Sequence, residues 1–181
     1  MKTQTVKILN ILRIIAWIGY IGTLVLLVLT TLITGYCFLF SDTDFAKKIF
    51  VSDAQLSFDT LKNNYLGRLI FYYVLSAIKI YFIIKVWQLA KNALTIINID
   101  KPFTREISHI IEKIAFWMIV IGTMDFIINF FVMTLEMLVK NHHKINFSPD
   151  LTYLFGVGII YFISQIFKRG VEIQAENELT V

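Results

Sequence analysis

From Ile14 to Phe40 the chain carries no charged residue. A stretch of that length and character suits the hydrocarbon of a bilayer, which a helix crosses with roughly 20 apolar residues. Three further apolar stretches follow, at about 69–90, 114–139 and 151–167. The last is uncharged but short. As a helix it rises only about 25 Å, so it is expected to stand steeply or to borrow flanking residues. Mean hydropathy is +0.69, and 57% of the residues are hydrophobic against 17% charged. A soluble domain of 181 residues has no interior large enough to hide so much apolar surface. The expected fold is therefore all-α: a four-helix transmembrane bundle over residues 1–181, one integral-membrane domain with short interfacial helices and no soluble domain.

Two of the apolar stretches contain ionisable residues at matched intervals. Arg68 and Lys79 stand eleven residues apart in the second, and Asp125 and Glu136 eleven apart in the third. Eleven residues is about three helical turns, so each pair falls on one helix face. In neighbouring antiparallel helices Lys79 meets Asp125 near mid-depth and Arg68 meets Glu136 near one surface. Charges at that depth are costly and are seldom left without a partner. Two roles stand open for the Lys79–Asp125 pair. It locks the register of two helices, or it serves a transport or sensing step. Lys85, nearer one end, can snorkel toward water.

The net charge of +4 is explained by topology rather than by binding to nucleic acid. Lys2, Lys7, Arg13, Lys91, Lys101, Arg105, Lys113, Lys168 and Arg169 would lie on one side, and Lys47, Lys48, Lys62, Lys140 and Lys144 on the other. Basic residues concentrate on the cytoplasmic side of membrane proteins. The bias assigns both termini and the middle loop to the cytoplasm of a cell with the chain in its inner membrane. The first apolar run is longer than the roughly 7–15-residue core of a cleaved signal, so it is expected to remain as a span. Cys37 is the only cysteine and reads as a small buried apolar residue.

Between the spans the pattern is amphipathic. Phe45, Ile49 and Phe50 form an apolar stripe opposite Lys47 and Lys48, and Leu56, Phe58 and Leu61 form a second. One or two short surface helices are expected there, either shielding the bundle or sensing a ligand. Pro102 ends the preceding helix, Thr104 caps the next, and Glu106 suits its positive end. The third helix is expected to start at Arg105 and to leave the membrane as an exposed stem through His109 and Lys113. Gly19, Gly22, Thr23, Thr30, Thr31, Thr34 and Gly35 allow close helix approach, within the bundle or at a homo-oligomer face. Gly156 and Gly158 suggest close packing or a bend in the fourth helix. His142 and His143 diverge on a helix and make a poor metal site.

After Lys168 and Arg169 the charge changes sign at Glu172, Glu176 and Glu178, while Leu179 and Val181 stay apolar. Such a segment frays, or docks on the bundle's own basic face or on a partner. No phosphate-binding loop, metalloprotease helix or nucleophile elbow is present in the sequence. No catalytic residue, metal or cofactor is expected, and the chain reads as a non-enzyme.

The turn Lys101-Pro102-Phe103-Thr104 and the ending from Phe167 through Lys168, Arg169, Gly170, Val171 and Glu172 to Glu176-Asn177-Glu178-Leu179-Thr180-Val181 resemble the domain-of-unknown-function 2975 family of bacterial four-span membrane proteins. That family more often has Asp at the position of Glu178. The resemblance implies a regulatory membrane partner of a cytoplasmic helix-turn-helix transcription factor. Its docking surface would include Pro102, Phe103, Glu172, Glu176, Glu178, Leu179 and Val181. The rival reading is a small oligomeric transporter or ion-coupled carrier built on Lys79 and Asp125.

Overall fold

The computed structural model describes residues 2–40, 50–51, 56–97, 104–140 and 151–178. Four helices account for nearly all of them: α1 (Lys2–Leu39), α2 (Phe58–Ile96), α3 (Arg105–Lys140) and α4 (Leu151–Glu178). Two short strands, β1 (Phe50–Val51) and β2 (Leu56–Ser57), pair antiparallel with Phe50 opposite Ser57. The described residues are otherwise all-α. Among them three helices are long and apolar enough to cross a membrane, over Val6–Leu39, Tyr65–Ile96 and Arg105–Leu135. Their outward faces stay apolar: Ile18, Leu32, Phe116 and Phe130 are all exposed. In water such faces would aggregate; in lipid they are the solvated surface. This is a membrane protein.

Two features depart from the expected loops. The stretch with Leu56, Phe58 and Leu61 is not a separate surface helix. Leu56 and Ser57 form β2, and Phe58 opens α2. Tyr65 then interrupts α2 with φ −138° and ψ 39°, outside helical geometry. The other stripe, from Phe45 to Ile49, lies outside the described residues.

The chain divides into two compact units: Met1–Leu24 with Phe82–Gly122 and Asp150–Val181, and Val25–Tyr81 with Thr123–Pro149. α1, α2 and α3 contribute residues to both. In the first unit α1 and α2 run antiparallel, because Arg13 meets Leu94, Trp17 meets Lys91 and Gly19 meets Trp87. Gly19 is required by that approach, since a Cβ there would lie 2.6 Å from the Trp87 ring. Gly22 and Gly35 have nothing within 4 Å of such an atom, and neither do Gly156 and Gly158. Among the described residues no side chain of this chain packs closely on those four glycines, so the close approach within the fold is concentrated at Gly19.

The second unit is built around Cys37, Leu69 and Leu135, each fully buried, with Phe38, Tyr65, Tyr72, Tyr73 and Phe131 packed against them. Cys37 is thus a core residue. Thr23, Thr30, Thr31 and Thr34 of α1 turn their hydroxyls onto carbonyls of their own helix, Thr31 to Leu27 and Val28, and Thr34 to Thr30. That leaves no unsatisfied donor to face lipid.

Gly19→Ala should lower stability by about 1–3 kcal/mol through overpacking against Trp87, whereas Gly22→Ala should cause no loss. Thermal unfolding of both variants in one detergent, followed by circular dichroism, checks the contrast.

Candidate functional site

The second unit brings together the two charges that the sequence places deepest in apolar helix. No other charge lies between Arg68 and Lys85 on α2 except Lys79, or between Lys113 and Glu136 on α3 except Asp125. Lys79 Nζ and Asp125 Oδ1 are in direct ion-pair contact. Two more contacts fix the alignment. The Tyr65 hydroxyl donates to the Leu138 carbonyl at 3.4 Å, and Phe71 meets Phe131 edge to face with centroids 5.1 Å apart. Numbers rising along α2 match numbers falling along α3 in step, so the helices run antiparallel in a single register.

That register brings the backbone of Arg68 level with that of Glu136, but the Glu136 side chain lies outside what the structure describes. The Arg68 guanidinium sits 5.7 Å from the centroid of the Tyr65 ring. The expected Arg68–Glu136 side-chain contact therefore lies outside the described residues.

The Lys79 and Asp125 side chains remain 30% and 39% exposed. They meet at a helix–helix seam rather than in a sealed core. Desolvation offsets much of the attraction within such a pair, so the contact adds less stability than its geometry suggests. Removing one partner is different, because a lone charge at mid-span costs about 3 kcal/mol. The pair therefore opposes every register of α2 against α3 that would separate it.

In the first unit α3 and α4 form a second cluster. The Ile107 amide donates to Thr104 Oγ1 at 3.3 Å, which is the expected N-cap, and α3 begins at Arg105 with Glu106 in its first turn. Ile107 and Ala115 turn inward and are buried. Arg105, His109, Glu112 and Lys113 are left exposed, as expected of an amphipathic stem.

The C-terminal segment, for which the sequence left fraying and docking open, is helical as far as Glu178. α4 continues without a break through Lys168, Arg169 and Gly170 to Glu178. Arg169 Nη1 donates to Glu172 Oε2 at 2.8 Å across one turn, which supports the continuation. This hydrogen bond, with the nearby charges of Glu172 and Glu176, raises the Arg169 pKa. Glu172 lies beside the stem, in a groove of about 300 Å³ lined by Arg105, Ser108, His109 and Glu112 of α3 and by Lys168 and Val171 of α4. Glu176 is exposed. Pro102, Phe103, Leu179, Val181, His142 and His143 lie outside the described residues, as does the side chain of Glu178. Among the described residues no group of three His, Cys, Asp or Glu is placed to hold a metal ion.

Sequence reasoning missed a third feature. Lys91 Nζ lies 4.4 Å from the Trp17 ring centroid and 4.6 Å from that of Tyr20, and Arg13 Nε donates to the Leu94 carbonyl at 2.7 Å. One face of α1 therefore grips the last turns of α2 through cation–π contacts and a helix-end cap. The spacing of Arg13, Trp17 and Tyr20, at four and then three residues, was the available signal.

No family model matches the chain, and neither a curated protein nor a solved structure is found to be similar to it. Function is therefore argued from these arrangements.

Asp125→Asn should destabilise the protein by about 3 kcal/mol by stranding Lys79 in apolar surroundings. Adding Lys79→Gln should recover part of the loss. A double-mutant cycle on detergent unfolding checks this; additive single effects would show that the contact carries no coupling.

Proposed function

We propose that the chain is a non-enzymatic, multi-pass regulatory protein of the bacterial inner membrane, with both termini in the cytoplasm. In this reading α4 is the fourth span, and the segment around 41–67 supplies interfacial elements on the outer side. The cytoplasmic surface is the α3 stem together with the far end of α4. It captures a partner, which the resemblance to the four-span family suggests is a helix-turn-helix transcription factor. The protein itself does not contact nucleic acid.

The observation that carries this reading is the helical continuation of α4 past the apolar run, beside the stem at Glu172. A helix of mixed charge extended beyond Phe167 has little to bury in lipid. It suits a preformed docking surface, which avoids the cost of ordering a loose tail on binding. Glu176, exposed on that extension, and the acidic and apolar residues that follow it are the remaining contact candidates. Pro102 and Phe103 lie next to the stem in the chain and belong to the same candidate surface.

A second reading rests on the formed Lys79–Asp125 contact. Intramembrane carboxylates that pair with cations recur in ion and proton pathways. Here the chain would be a small carrier, and its few spans would require a homo-oligomer to enclose a path.

Two outcomes are expected. Reporter fusions after Val181 and near Asn146 should report cytoplasmic and external locations; an external C terminus would overturn the topology. Deleting Asn177–Val181 should leave membrane insertion intact and abolish recovery of a helix-turn-helix regulator from detergent extracts. Equal recovery with the full-length and shortened chains would refute docking through the C-terminal end.

A further inference from the structure

The groove between the α3 stem and α4 has a charge pattern that partner capture does not require. Its lining holds two permanent cations, Arg105 and Lys168, two carboxylates, Glu112 and Glu172, and one histidine. With the histidine neutral these charges cancel. The groove is therefore not built for a purely anionic group.

The pairing within it is uneven. Glu172 is held by Arg169 at 2.8 Å, whereas the contact of Glu112 with His109 is long, at 3.8 Å. Neither Arg105 nor Lys168 has an ion pair among the described residues. Two available cations and one weakly held carboxylate complement a phosphate joined to an ammonium.

The position of the groove limits the source of that group. Lys168 directly follows the uncharged run 151–167 of α4, and Glu112 stands just before the apolar run of α3 that begins near 114, with Arg105 about two turns farther out on the stem. Cations at such boundaries stand at headgroup depth. On the continuation of the same two faces Phe116 and Ile119 of α3 and Tyr161 of α4 are exposed. They provide a surface for acyl chains on the side toward the membrane. The volume of about 300 Å³ lies at the small end of ligand sites, suited to a headgroup rather than a larger solute.

We infer that this groove binds the headgroup of a primary-amine phospholipid, its phosphate on Arg105 and Lys168 and its ammonium on Glu112. The preference for a primary amine follows from the lining. An ammonium has N–H donors for a carboxylate. A trimethylammonium has none and is recognised by aromatic cages, and none of the described residues that line the groove is aromatic. Ser108 supplies a hydroxyl donor for a phosphate oxygen.

The test uses the full-length chain, purified in mild detergent and titrated separately with phosphatidylethanolamine, phosphatidylglycerol and phosphatidylcholine. Retained lipid is measured by native mass spectrometry. Phosphatidylethanolamine should be retained roughly tenfold better than either of the others, as expected when a charge-assisted hydrogen bond is made by one headgroup alone. Arg105→Gln with Lys168→Gln should reduce retention of all three lipids. Arg105→Lys with Lys168→Arg keeps the charges and should keep the preference, which separates loss of binding from loss of fold. Glu112→Gln should erase discrimination between ethanolamine and choline lipids while leaving overall retention. Soluble phosphoethanolamine should compete only weakly, because it lacks acyl chains. Equal retention of the three lipids, preference for the glycerol lipid, or soluble phosphoethanolamine binding as well as the lipid would each overturn the assignment.

Discussion

A charge in hydrocarbon has no water to turn to, and the contact between Lys79 and Asp125 answers that constraint. Its importance lies less in net energy than in the alternatives it removes. Sliding α2 by one turn against α3 would move the two groups about 5.4 Å apart along the axis and strand both. An apolar seam imposes a weaker preference, because one branched side chain replaces another at modest cost. The polar contact and the aromatic contacts agree on one register, from Tyr65 with Leu138 through Phe71 with Phe131 to Lys79 with Asp125. The buried cluster of Cys37, Leu69 and Leu135 sits within that alignment.

The first unit solves a different problem with different groups. Its cations stand near helix ends, where water or lipid headgroups are within reach. There Lys91 lies between two aromatic rings, and Arg13 caps a carbonyl in the last turns of α2. These contacts stabilise a helix end and anchor it at a boundary, as interfacial Trp, Tyr and Lys side chains do. Gly19 adds close approach at Trp87, so the α1–α2 contact combines a polar clamp with a tight backbone passage. A mid-span ion pair and a helix-end clamp thus divide the labour: one fixes register between α2 and α3, the other fixes where α1 meets α2.

Much of this was legible because it rests on patterns with few competing explanations. Apolar runs of spanning length have hardly any other use, so three of the helices could be read directly as spans. Lys79 and Asp125 were legible because isolated charges in such runs call for partners. Thr104 before Arg105 was legible as a cap because the hydroxyl and the first free amides must meet. Other features were hidden by ambiguity of local signal. Lys168-Arg169-Gly170 looks like the end of a span, yet the Arg169–Glu172 spacing carries the helix onward. The apolar pattern at Leu56, Phe58 and Leu61 fits a short helix as well as the strand and helix start that form there. Lys91 looked like one more topogenic charge, because cation–π contacts depend on which ring another helix presents. The glycines were equally uninformative one by one. Of Gly19, Gly22 and Gly35, all in α1, only Gly19 faces a bulky neighbour.

The location of charge also bears on the choice between a regulator and a carrier. A carrier works by letting its central charge exchange partners, so the resting contact must be breakable and a polar route must reach it. The Lys79–Asp125 contact is a direct pair on the α2–α3 seam, and it coincides with the register of α2 against α3. Breaking it in each cycle would loosen the alignment that the second unit depends on. The α3–α4 groove has the opposite character. Its charges are exposed, its carboxylates are unevenly held, and it sits where apolar helix gives way to polar helix. Binding there would alter surface contacts without disturbing a core. For a protein whose deep charges hold the fold and whose shallow charges are available, responsiveness belongs at the shallow site, which favours the regulatory reading over the carrier.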